Sequence, residues 1–483
     1  MVACGLRTSH RIGNICLICA CRCRKQREFM IIIGGMMAEI LPFRGYRYAL
    51  DKVRALDDVI ADPYDKIDDE LQEFYYERSP HNIVRIIKGK TYPNDTADNN
   101  QYVRAAGFLD AWIRDGIFRR DQSPCIYIYD QEYVVPETGI TKIRKGFIAL
   151  FRLMSYEEGG VKPHERTLAG PKADRLNLMR ATKAQFGQIF MLYPDPDNAV
   201  NGLLDEARAA GGPLVAKDRF SDLHKLWPVS DPRIIAELGK LMLDKQVFIA
   251  DGHHRYETAL AFRDEMRGKV HQTDDTETIE NRMVTFVSFD DPGLLILPTH
   301  RLVSDVQGFD AAALIENLKQ FFELEVLPFS DESSRETAQR KTMEILHRDS
   351  ARDHVFGILL AGQNQFLLAR LRDESSLDEM LHSVECDEYR RLDVVILSTL
   401  ILEKMLGITK EDLTRERKVQ YLRDVGDGVK SVISGKAQAL FVLNPTKPSQ
   451  VRDVASAGAR MPQKSTDFYP KLVTGLVLNK LTL

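Results

Sequence analysis

The run Val247-Phe248-Ile249-Ala250-Asp251-Gly252-His253-His254-Arg255-Tyr256-Glu257-Thr258-Ala259-Leu260 constrains this chain more than any other segment. Four apolar residues predict a buried β-strand that ends at Asp251. Gly252 permits a tight turn with unusual backbone angles. Tyr256, Ala259, Leu260 and Ala261 then supply the core face of a helix. A helix start directs free N–H groups and a partial positive charge at whatever lies before it. Two histidines and an arginine fall on that first turn. Arg255 is suited to bidentate bonds with a phosphate. Asp251 is placed to cap the helix or to reach a phosphate-bound magnesium. The bland alternative is a capped helix with surface histidines. A metal site on His253 and His254 is poorly served, because adjacent helical residues point about 100° apart. The segment Asp251–Arg255 is therefore read as a nucleotide-phosphate turn.

A fold built around such a strand-turn-helix unit needs a large core. With 44% hydrophobic and 28% charged residues over 483 positions, the chain can form one, and its length suggests two to four domains. The formal net charge of −4 argues against a dedicated nucleic-acid binder. No apolar run approaches the roughly 18–20 residues that span a bilayer; Val394–Ile408 is interrupted by Glu403 and Lys404. Of the 7 cysteines, Cys4, Cys16, Cys19, Cys21 and Cys23 crowd one end, and only Cys125 and Cys386 follow. Two distant cysteines in a long body predict reduced thiols and a cytoplasmic protein. Residues 1–36 look foreign to the rest and are read as a non-native or disordered extension. The Cys16–Cys23 cluster lacks the paired spacing of common zinc sites.

From Met37 the pattern is mixed α/β. Helical spacing marks 71–76, 102–118 and 172–184, and strand-like runs mark 126–129, 146–153, 189–193 and 247–250. From about Leu294 a second region begins, with helices over 311–322 and 332–347. Apolar runs at 355–360 and 366–371 predict a hairpin across Gly362-Gln363-Asn364. An apolar helix over 392–406, a strand over 439–443 and a helix over 449–457 complete it. Further candidates for substrate or phosphate contacts are Asp65, in the Asp62-Pro63-Tyr64-Asp65 turn; Lys172 and Arg175, at a helix start; His300 and Arg301, after a strand; and Lys464, Ser465, Thr466 and Lys471, in a polar stretch without a P-loop frame. Each has a plain counterpart: a turn aspartate, a solvated helix face, or a polar connector.

Gly252-His253-His254-Arg255-Tyr256-Glu257 resembles the Gly-Cys-His-Arg-Tyr-Glu segment of sulfiredoxins and the Asp-Gly-His-x-Arg turn of the ParB-like superfamily, free serine kinases included. His253 stands where sulfiredoxin has its reducing thiol, so that chemistry is not implied. From Met37 to Leu483 the chain is similar to a bacterial and archaeal family labelled as a domain of unknown function, number ten-fifteen. The similarity is carried by Leu41–Gly45, Asp62–Asp65, Pro163–Thr167, Asp251–Tyr256, Leu297–Arg301 and Met461–Lys471. It implies an α/β (α+β) fold in which a ParB/sulfiredoxin-like nucleotide-binding domain with a large insertion, residues 37–290, packs on a second mixed α/β domain, residues 291–483. It implies ATP or ADP with Mg2+ carried on the nucleotide, phosphate contacts from His254 and Arg255, Glu165 as the base for an acceptor hydroxyl, and His164 positioning that acceptor. L-serine is the implied substrate, with a homo-oligomer left open. The competing readings are a non-catalytic nucleotide-binding switch protein and an enzyme with His253 as a covalent phosphate carrier.

Overall fold

The computed structural model describes residues 38–136, 138–165, 169–270, 275–350, 352–375, 377, 381 and 386–483. Residues 1–36, with their cysteine cluster, and Arg166 and Thr167 of the Pro163–Thr167 motif lie outside this set. Along the described chain run β1 (Ile126–Val134), β2 (Thr141–Arg152), β3 (Val161–Pro163), α1 (Ala169–Thr182), β4 (Ile189–Tyr193), β5 (Leu214–Lys217), β6 (Leu223–Val229), β7 (Val247–Asp251), α2 (His253–Met266) and β8 (Asn281–Ser288). They are followed by β9 (His300–Val303), α3 (Ala311–Phe321), β10 (Phe322–Pro328), α4 (Glu332–Asp349), β11 (Val355–Leu360), β12 (Gln365–Leu371), β13 (Val419–Leu422) and β14 (Ala439–Val442).

Two large sheets organise the molecule. The first has nine strands in the order β3-β7-β4-β8-β2-β1-β6-β5, with Ile40–Leu41 added to β2. It is mixed: β7 runs parallel to β3, β8 parallel to β4, and β7 antiparallel to β4. Its central strands are buried on both faces because helices and loops cover both; every residue of β4 and β8 is buried. The second sheet is antiparallel throughout its pairs, in the order β10-β12-β11-β14-β9-β13. The hairpin expected across Gly362 is present as β11 and β12. The apolar helix expected over 392–406 forms as a short α-helix, Asp393–Ile396, continued by a π-helical stretch, Leu397–Met405.

The chain between 460 and 481 returns to the first sheet. Met461 N–H donates to the His164 carbonyl at 2.7 Å. Asn479–Lys480 pair with Ala184–Gln185, and Ala61 and Thr474 exchange backbone bonds. Asp467–Tyr469 pair with Leu295–Leu297 at the junction of the two sheets. Among the described residues, no helix is long and apolar enough to cross a membrane.

Candidate functional site

Strand β7 carries a register shift between Ile249 and Asp251, a device that re-aims side chains at a strand end. Gly252 follows in the left-handed region, φ 96°, and α2 begins at His253 with no side-chain cap. The expectation that Asp251 caps this helix is therefore corrected. Its carboxylate turns to two cations instead: Lys471 Nζ at 3.5 Å and Arg255 Nη2 at 3.6 Å. Burial opposes its ionisation, but Lys471 and Arg255 outweigh that and hold Asp251 well below the usual carboxylate range. Lys471 stays charged in return: burial works against it, and Asp251 and Asp467 raise it.

The uncapped turn opens on a cavity of about 530 Å³ lined by Tyr64, Asp65, Lys88, Glu165, Asp174 and residues Asp251–Arg255. That size lies inside the roughly 300–1,000 Å³ usual for small-ligand sites. Glu165 keeps 36% of its side-chain surface open. Burial of its carboxyl and the nearby Asp251 charge push it up to about 7, against the pull of Lys471, Lys464 and Lys66. A carboxyl near neutrality can take a proton from a hydroxyl at working pH.

The two adjacent imidazoles, His164 and His253, have unequal roles. His164 is buried. Its Nδ1–H donates to the Ile249 carbonyl at 2.6 Å, which leaves Nε2 to accept from the Thr466 hydroxyl at 2.9 Å. With both nitrogens engaged, it cannot hold an acceptor hydroxyl as expected. Burial lowers it to about 4, against the Ile249 bond, so it is neutral. The His164 backbone N–H donates to His253 Nε2 at 3.2 Å. His253 therefore carries its proton on Nδ1, which faces Glu165 Oε2 at 3.7 Å. It is buried, and burial followed by His164 keeps it well below its ordinary value. His253 thus stands beside Glu165 beyond hydrogen-bond distance, and the covalent-carrier reading loses the exposed nucleophile it needs. His254 is the half-buried histidine on the cavity side.

Arg255 also departs from expectation. Its guanidinium folds back beneath the turn, donating from Nη1 to the Gln188 carbonyl at 2.5 Å. A Cβ at Gly252 would meet Arg255 Nε at 3.0 Å, and one at Gly187 would meet Nη1 at 3.2 Å. The two glycines leave the slot the side chain occupies. Arg255 braces Asp251 from within, with little freedom for a two-pronged phosphate grip.

Asp65 lies exposed in a 3-10 turn, Tyr64–Lys66, at the cavity rim. Lys172 reaches Glu257 at 2.9 Å on α2. Arg175 is held by Asp174, donates to the Ile87 carbonyl at 2.8 Å and stacks 3.9 Å over Tyr64. Lys464 pairs with Glu416 at 3.4 Å while its charge acts on Glu165. Ser465 is buried and its hydroxyl donates to the Pro462 carbonyl at 2.6 Å, which removes it as a ligand contact. His300 and Arg301 are not brought to the cavity. They sit buried in β9, where His300 Nδ1 accepts from Leu443 N–H at 3.2 Å and Arg301 stacks 4.6 Å over Tyr421. Thr466, expected as a phosphate or substrate contact, instead gives its hydroxyl to His164; sequence reasoning missed Lys66, whose charge acts on both carboxylates. Lys66 directly follows the Asp62–Asp65 turn, one residue from the candidate Asp65. Among the described residues, no group of three or more His, Cys, Asp or Glu is arranged to hold a metal ion.

The model of the family "Protein of unknown function (DUF1015)" matches residues 40–395. No curated protein matches the chain. Among solved structures, the chain is similar to a conserved hypothetical protein from Pyrococcus furiosus, at 13% identity over 64% of this chain and 87% of that one, with a TM-score of 0.27. A free serine kinase in complex with AMP matches at 12% identity over 66% and 89%, with a TM-score of 0.26. SbnI with C-terminal truncation, from Staphylococcus aureus, matches at 10% identity over 67% and 84%, with a TM-score of 0.30. These values describe a distant likeness.

Proposed function

The chain belongs to the DUF1015 family, whose label assigns no chemistry, and from its own site we propose that it transfers a phosphoryl group from ATP or ADP to the hydroxyl of a small metabolite. One observation carries this reading: the half-open Glu165 carboxyl, raised to about 7, shares a cavity with the uncapped N-terminus of a 14-residue helix. The helix start suits phosphate oxygens, and the carboxyl suits a hydroxyl proton. Phosphoryl transfer asks for little more than positioning, charge neutralisation and such a base.

In this mechanism the His253, His254 and Arg255 N–H groups and the His254 ring face the transferred phosphate. Lys471 and Lys66 offset its charge. Glu165, with His253 alongside, takes the acceptor proton. Asp65 and Asp251 are hard oxygen donors of the kind a phosphate-bound Mg2+ takes; when bound, the ion would neutralise phosphate charge. L-serine as acceptor, and a ParB-like domain over 37–290 packed on a second one over 291–483, rest on the motif resemblances alone. The test is nucleotide turnover with L-serine and other small alcohols, in wild type and Glu165→Gln. Equal turnover in both proteins would sink the proposal. The second reading, a nucleotide-binding switch, is favoured by the buried, inward Arg255; saturable nucleotide binding with no turnover of any alcohol would select it.

A further inference from the structure

Behind the turn lies a second, smaller cavity of about 50 Å³, bordered by Tyr64, Arg175, Gly187, Arg255, Arg282 and Thr474, among others. Arg282 projects from β8, in the middle of the first sheet, and is 3% exposed. Its Nη2 donates to the Gly187 carbonyl at 2.6 Å. Its Nε and Nη1 are buried and meet no hydrogen-bond partner, and no ion pair forms on Arg282 among the described residues. Arg255 and Arg175 add two more guanidinium groups to the same lining. Their carboxylates, Asp251 and Asp174, line the open cleft and not this cavity. Three cations thus surround a space that none of their counter-ions enters.

A guanidinium is charged throughout the biological pH range. Burial and the Arg255 charge lower Arg282 only to about 9, so it remains cationic. A buried ion with two idle donors is strongly unfavourable unless something pairs with it. A cavity needs about 10–15 Å³ of such space for each water-sized atom, so this one takes a group of roughly four. That matches a phosphate or a carboxylate.

We propose that this inner cavity is a binding site for one small oxyanion, held by the idle Arg282 donors with Arg255 and the Thr474 hydroxyl completing the shell. The proposal stands apart from the phosphoryl-transfer reading. The experiment is thermal unfolding of the full chain at constant ionic strength, with chloride exchanged stepwise for inorganic phosphate in one arm and acetate in another. The wild type is expected to show a saturable rise in Tm in at least one arm, and the responding arm distinguishes phosphate from carboxylate. Arg282→Met is expected to unfold at a higher temperature than wild type in chloride alone and to lose the response. A cleft variant, His254→Ala with Lys66→Ala, is expected to keep it. No saturable rise in either arm, a response that survives Arg282→Met, or one lost in the cleft variant overturns the site. If Arg282→Met does not fold, Arg282→Lys decides: it keeps charge without the fork, and about a tenfold weaker half-saturation is expected. An unchanged half-saturation overturns the proposal.

Discussion

Two His-Arg pairs follow strands in this chain, and they meet opposite fates. After β7 comes Gly252 with a positive φ, so the chain leaves the sheet and starts a helix; His254 reaches the cavity. After Leu295–Leu297 comes Pro298-Thr299, and the chain enters β9. Strand geometry then buries His300 against Leu443, just past β14, and Arg301 against Tyr421. The same residue types become a site or a core according to whether the backbone turns out of the sheet. One glycine conformation makes that difference, not the chemistry of the side chains.

The largest effect expected on this contrast is at Glu165. Glu165→Gln should cut turnover by about 10²–10⁴-fold with nucleotide KM little changed, the range for a positioned general base; steady-state kinetics reads it. Next, Lys471→Met leaves Asp251 short of its nearest cation and should cost about 1–3 kcal/mol of stability, read as a lower urea midpoint together with weaker nucleotide binding. Gly252→Ala forces a Cβ to φ 96° and against Arg255 Nε; about 1–2 kcal/mol is expected, with loss of nucleotide binding. His300→Ala sharpens the comparison from the other side. It should cost about 1–3 kcal/mol, because Leu443 N–H loses its acceptor, yet leave turnover as in wild type. A turnover defect there as large as that of Glu165→Gln would erase the distinction between the two pairs.

The smallest effect is in pH. Glu165 rises from 4.5 to about 7 on folding, so the folded state binds more protons over that window and stability falls as pH rises through it. His164 falls from 6.5 to about 4, so its contribution rises with pH between those values. Subtracting the stability profile of Glu165→Gln from that of wild type should isolate the first slope. Activity should climb through about 7 as the base loses its proton.

The strand, turn and helix of 247–266 were legible because an apolar run, a glycine and a 3.6-residue stripe fall in sequence. The roles of the individual side chains were less so. Arg255 reads as a phosphate ligand from its place on the first turn, but Gly187, 68 positions earlier, supplies the slot that turns it inward. His164 reads as a substrate contact, but Ile249 and Thr466 claim its ring from two distant segments. Periodicity reports local faces; it carries no information on which distant carbonyl will meet a given nitrogen. Arg282 went unnoticed because one arginine in Arg282-Met283-Val284-Thr285-Phe286-Val287 looks like a strand end.

The return of residues 460–481 to the first sheet has a consequence for synthesis. Lys471 and the Thr466 hydroxyl emerge more than two hundred residues after the turn they serve. While the ribosome is still making the second sheet, Asp251 lacks its cation and His164 its hydroxyl donor. A chain cut before residue 460 also loses the buried Phe468, Val473, Leu476 and Val477, so the segment that brings these two polar groups also closes the core around the turn.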